Sequence, residues 1–227
     1  MSKIAFDGFK KSINSLYTND EKTTEEIINM EKSVDKYEDK LGSYLVQLSQ
    51  QDMTTEDSHQ VSKILHVIND FERISDYSLN VLDASNEMES KKISFSKEAQ
   101  KEITALQNAA LALLDSTYIS FIEDDSTLAQ HIQPLQQVIE ELVSEIKNNH
   151  INRLRNKVCT IELGFVLSDI LNAYERAAAH CTNIAIAVIE SHNDDFEPHA
   201  SARNYRKNEG SLYNEIYQNY KNTYKII

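Results

Sequence analysis

Residues 69–83 read NDFERISDYSLNVLD, and residues 172–186 read NAYERAAAHCTNIAI. Asn69, Glu72, Arg73 and Asn80 recur as Asn172, Glu175, Arg176 and Asn183, at one constant offset of 103 positions (72 to 175). A repeat at that period in a chain of 227 residues means two copies of one folding unit. The shared residues are polar, yet they sit inside helical apolar patterns. Core packing alone asks for neither a Glu-Arg pair nor an Asn two turns later, so the block points to a site as well as to a fold.

Working outward, the apolar spacing is helical throughout. Ile27, Met30, Val34, Tyr37, Leu41, Tyr44 and Leu48 alternate steps of three and four, which is one face of a long helix. Thr23 or Thr24 is placed to cap it, with Glu25 and Glu26 in a first turn where the helix dipole favours acids. A shorter pattern over Ile4 to Tyr17 precedes it. A third helix follows a turn at 49–55; Thr54 and Asp57 have the spacing of a capping box, and Val61, Ile64, Leu65, Ile68, Phe71, Leu79 and Leu82 read as its inward stripe to about Glu87. Residues 88–95 read as a polar connection. The second copy then gives helices from Ser96 to Ile122, from Leu128 to Asn148 and from Thr160 to Ser191. Pro134 should kink the middle one or mark a later start. HINRLRNK (150–157) reads as a basic connector, HNDDFEPHA (192–200) as a break, and Tyr213, Tyr217, Tyr220 and Tyr224 as the stripe of a last amphipathic helix. The expected fold is all-α: a three-helix bundle over 1–90, a second over 91–192, and a tail with a short helix over 193–227.

Composition agrees. Four Gly, two Pro and no Trp leave few turns that need special backbone angles, which favours long helices over an all-β fold. A net charge of −13 lacks the basic footprint that nucleic acid requires and suits an anionic membrane surface poorly, whereas it suits solubility, a cation or a basic partner. No run is long and apolar enough to span a membrane, and the N-terminal residues lack the apolar stretch of a secretory signal. Cys159 and Cys181 read as packed thiols in a reducing compartment.

The polar residues suggest two readings. Glu72 and Asp76 are four apart on one helix face, with Asp70 and Arg73 close by, and Glu31 and Asp35 repeat that spacing on the preceding helix. If the two helices are antiparallel, both acid pairs meet at one groove. They then form either a metal site or a solvated acidic face with Arg73 and Lys32 as counter-ions. Carboxylates on facing helices also build di-iron sites, but the usual Glu-x-x-His pair is absent from this copy. In copy two Glu175 persists, Ala179 replaces Asp76, and Gln136 and Glu140 stand at the spacing of Glu31 and Asp35. Glu140, Glu175 and His180 form the weaker second set. Arg73, Asn80, Arg176 and Asn183 are assigned structural or register roles. No Gly-rich phosphate loop and no nucleophile motif appear, so the chain reads as a non-enzyme, with a carboxylate-bridged metal oxidase as the catalytic alternative.

The first block closely resembles the E-R-I-x-D-x-x-x-N-I signature of the PhoU family. The resemblance implies two three-helix bundles related by an internal repeat, a regulatory role in phosphate uptake, and metal binding through E/D-x-x-x-D motifs. Here those are Glu31 with Asp35 and Glu72 with Asp76, for a transition metal (Fe, Zn or Mn). A finer resemblance joins the connector His150-x-x-Arg153-Leu154, Cys159, Gly164 and the His180-Cys181 pair, together with FSKEAQKEI (95–103) and the tyrosine-rich tail. These are similar to the C-terminal part of bacterial sodium/phosphate cotransporter proteins. That branch implies a membrane phosphate-transporter domain in the same full-length chain, no nucleic acid, and a cytoplasmic position at the inner face of the plasma membrane. A free-standing PhoU-like adaptor is the alternative, and a homo-oligomer is compatible with either.

Overall fold

The computed structural model describes residues 1–18, 20–191 and 211–226, and among them there are eight helices and no strand. The break expected at 192–200 lies outside the described residues. α1 (Ser2–Ser15), α2 (Glu21–Leu48) and α3 (Thr55–Lys91) form the first bundle. α4 (Lys97–Ile122), α6 (Ile132–Arg155) and α7 (Ile161–Glu190) form the second, with the single turn α5 (Ser126–Ala129) between α4 and α6. α8 (Ser211–Thr223) packs on α6.

Short polar side chains set the helix starts. Thr54 and Asp57 form the reciprocal capping box expected for α3. Ser96 and Thr160 accept from backbone N–H groups at the starts of α4 and α7. The cap of α2 is Asp20, whose carboxylate accepts from the Thr23 N–H at 2.9 Å. Thr23 thus lies inside the helix and donates its hydroxyl to the same cap. At the ends, Lys92, Asp124 and Lys157 take the left-handed conformation (φ 53°, 52° and 57°) that glycine usually supplies.

Three boundaries differ from the sequence reading. α3 continues through 88–91, so the connection to α4 is only about one helical turn long. Pro134 belongs to the first turn of α6, where a missing N–H costs nothing, so it marks a later start and not a kink. The basic segment 150–155 is the last turn and a half of α6; Arg153 and Arg155 complement the negative end of the helix dipole there.

The two bundles share one continuous core. α3 and α7, which carry the repeated block, form the most extensive helix pair. Both helices bury small residues, Ser75, Ser78 and Ala84 on α3 and Ala173, Ala177 and Ala178 on α7. Phe71 and Tyr174 are equivalent positions of the repeat. Each meets α1 edge to face: Phe6 with Phe71 at 5.8 Å and Phe9 with Tyr174 at 5.9 Å between ring centroids. α2 lies at the edge of this core: it contributes Val34 to it and otherwise buries only Ile27 and Leu45. Tyr37, Tyr44 and Ile64, expected to face inward, are instead exposed, because α2 packs along a narrow stripe on α1 and α3 alone. The tyrosine stripe of α8 does face inward: Tyr217 is buried on α6, and the Tyr213 and Tyr217 hydroxyls donate to Gln137 and Glu141.

Candidate functional site

α2 and α3 are joined by a short turn and pack side by side, so their acid pairs converge as the spacing implies. Carboxylate oxygens of Glu31, Asp35 and Asp76 all lie within 4.8 Å of one another, each partly buried. Glu72, expected as a fourth ligand, stands one turn before Asp76 and outside that group of three; its Oε2 is buried with no hydrogen-bond partner. Arg73 Nε stands 3.3 Å from that oxygen without hydrogen-bonding geometry, and Arg73 donates from Nη1 to Asp76 Oδ2 at 3.1 Å.

The electrostatics follow from this crowding. Partial burial, then Asp76, push the Glu72 carboxyl up from 4.5 to about 7, against the opposing pull of Arg73. Burial, then Asp35 and Asp76, raise Glu31 as well; Lys32 opposes this only weakly. One arginine at the rim and one distant lysine leave four acids under-neutralised. An orphaned buried oxygen and three convergent carboxylates make an all-oxygen donor set that fits a divalent cation.

The second set does not come together. Glu140 accepts from Gln136 Nε2 at 2.9 Å, Glu175 pairs with Lys147 at 3.5 Å, and His180 is drawn 2.8 Å from Asp70 on the other bundle. Among the described residues no metal-competent group other than Glu31, Asp35 and Asp76 forms. The register residues also part company. Asn183 donates to Asp70 Oδ1 at 2.9 Å across the α3–α7 interface. Asn80 and Arg176 are exposed, and Asn80 has no hydrogen bond to another helix among the described residues. The cause lies in the repeat: position 173, the equivalent of Asp70, is alanine, so Asn80 meets no carboxylate. Asp70 itself turns away from the acidic groove and is buried against α7. The sequence placed it beside the Glu72 and Asp76 pair and could not show its true partners, which lie more than 100 positions away.

The family model of the PhoU domain matches residues 1–84 and 103–188, which takes in both copies of the repeat. A phosphate-specific transport system accessory protein PhoU homolog 1 from Thermotoga maritima is 25% identical over 83% of this chain and 82% of its own length. A phosphate-specific transport system accessory protein PhoU homolog from Synechocystis is 23% identical over 82% and 81%. The crystal structure of PhoU from Pseudomonas aeruginosa superposes with a TM-score of 0.78, at 15% identity, over 84% of this chain and 91% of that one. The phosphate transport system regulatory protein PhoU from Streptococcus pneumoniae gives 0.74, at 16% identity, over 87% and 92%. At those identities the two structures speak for the fold alone.

Proposed function

Because the chain belongs to the PhoU domain family, we propose that it is a non-enzymatic regulator of phosphate transport, acting as an accessory protein on a membrane transporter from the cytoplasmic side. The observation that carries this reading is the match of the family model across both bundles, together with accessory-protein relatives aligned over most of their own length. Among the described residues no helix is long and apolar enough to cross a membrane, which is consistent with a partner that supplies the transport path.

The first bundle supplies the candidate control point. Glu31, Asp35 and Asp76 would hold a divalent cation, with Glu72 as the fourth carboxylate once it loses its proton. Oxygen-only donors favour manganese or iron over zinc, which prefers nitrogen and sulfur. The cation would neutralise four crowded acids on α2 and α3 and thereby favour one packing of those helices. Phosphate uptake measured in cells lacking this chain, and in cells complemented with it or with Glu31→Ala/Asp76→Ala, tests the reading. Uptake unchanged by loss of the chain would overturn the regulatory role; full complementation by the variant would overturn only the metal dependence.

A second reading makes the chain the cytosolic part of a sodium/phosphate cotransporter. Its support is that the residues of the finer resemblance meet in space: Glu102, Arg153, His150, Cys159 and Gly164 form one contact network. The accessory-protein relatives favour the first reading. Immunoblotting of native cells distinguishes the two, since a cotransporter would carry this segment in a larger, membrane-embedded chain.

A further inference from the structure

The connector motif folds into a site of its own at the α6–α7 junction. His150 is 93% buried in the last turns of α6, and its Nδ1 lies 3.7 Å from Cys159 Sγ, in the turn that enters α7. The other ring nitrogen, Nε2, is buried with no hydrogen-bond partner. It rests against Gly164 in the first turn of α7, where any Cβ would stand 2.8 Å from Nε2. Only glycine at 164 leaves the ring where it is. Glu102 of α4, itself buried, accepts two hydrogen bonds from Arg153 (2.7 and 2.8 Å) and one from Asn149 (3.0 Å), which fixes the helix turn on both sides of His150.

Most buried polar atoms have a hydrogen-bond partner. His150 Nε2 has none, while the Cys159 thiol lies between Nδ1 and the His150 carbonyl oxygen, 3.7 and 3.8 Å away. Burial and then the Arg153 charge hold the imidazole below its ordinary range, with Glu102 opposing, so the resting ring is neutral. The two cysteines differ sharply. Cys181 is sealed in the core, its thiol pushed up to about 12 by burial, whereas Cys159 is partly exposed.

We propose that Cys159 is a nucleophilic thiol with His150 as its general base, and that this pair is a site of oxidative modification by peroxides. The thiol proton passes to His150 Nδ1 as sulfur attacks a peroxide oxygen. The S–O bond forms, the O–O bond breaks, and the departing hydroxide takes the proton back from the imidazolium and leaves as water. Sulfur is oxidised by two electrons to the sulfenic acid and the peroxide is reduced. Cys181 is shut in the core and does not reach the product, so the sulfenic acid persists until a small thiol condenses with it, releasing water. Gly164 and Glu102 are positioning residues: they seat the ring.

The test uses the full chain, hydrogen peroxide with dimedone trapping, and iodoacetamide alkylation at neutral pH, read by peptide mass spectrometry. Native protein should be modified at Cys159 faster than N-acetylcysteine, with Cys181 reacting only after unfolding. His150→Gln, and Gly164→Ala, which keeps both residues but displaces the ring, should each slow Cys159 by about a hundredfold, the lower range for loss of a positioned base. Circular dichroism reports whether each variant folds. Cys159 reacting no faster than N-acetylcysteine in the native protein overturns the proposal without any variant. A folded His150→Gln or Gly164→Ala with an unchanged rate overturns the role of the base.

Discussion

Tyr77 and His180 hold the same position in the two copies of the repeat, and their rings face one another across the α3–α7 interface with centroids 5.9 Å apart. The repeat is thus nearly symmetric in backbone and broken in chemistry. Tyr77 offers its ring, while His180 and Asn183 both reach Asp70 Oδ1. A carboxylate oxygen accepts only, so Nδ1 of His180 carries the proton in that bond.

The Asp70 cluster therefore pins one bundle to the other. Asp70→Ala removes the buried acceptor shared by the partly buried His180 and the exposed Asn183, and it should destabilise the protein by about 1–3 kcal/mol, with His180→Ala largely non-additive to it. Urea unfolding of the two single variants and the double variant gives the coupling energy directly. Fully additive losses would mean the two residues do not act together.

The acidic groove gives a pH signature. Glu72 is an acid whose pKa is raised on folding, from 4.5 to about 7, so the folded state binds the extra proton. Stability from this group is fully present below about 4.5 and is lost as pH rises towards 7. Metal-free protein should lose thermal stability across that window, and Glu72→Gln should flatten the slope. Midpoints measured by scanning calorimetry in chelator at several pH values check it; an equal slope in the variant would assign the effect to other groups.

Glu102 and Arg153 form a buried bidentate pair at the opposite end of the molecule's chemistry, a charge fully matched. Arg153→Ala leaves the buried Glu102 carboxylate with only the Asn149 amide as donor and should cost about 3–5 kcal/mol, whereas Arg153→Lys keeps the charge, loses the fork and should cost less. Denaturant midpoints of both variants distinguish loss of charge from loss of geometry.

Lys92 ends α3 in the left-handed conformation at φ 53° without glycine's freedom from the Cβ clash. Lys92→Gly should raise stability by about 0.5–1 kcal/mol. A lowered midpoint would show that the lysine side chain holds a contact worth more than the relieved strain.

How much of this was legible depends on the range of the interaction. The Thr54–Asp57 box, the Ser96 and Thr160 starts and the tyrosine stripe of α8 are local patterns, and the structure follows them. The convergence of Glu31 and Asp35 with Asp76 needs only two four-residue spacings and one antiparallel turn, so it too was readable. Exposure of Tyr37 and Tyr44 was not, because the periodicity of a helix says which face is apolar but not how wide a stripe its neighbours cover. The basic connector was misread for a related reason: Arg and Asn in the last turn of a helix look like a loop until the dipole and Glu102 are considered. Asp70, His150 and Gly164 take their meaning from residues on other helices or across a turn, and single-sequence patterns hold no record of those meetings.

The proposed metal site of this regulator of phosphate transport is the acidic groove of the first bundle alone. The most direct measurement is metal content after loading purified protein with manganese or iron and removing excess, compared between the native chain, Glu72→Ala/Asp76→Ala, and Glu140→Ala/Glu175→Ala. Bound metal is expected in the native chain, its loss in the first variant and no change in the second. Equal metal in the native chain and in a folded Glu72→Ala/Asp76→Ala variant, or no metal in any of the three, would contradict it.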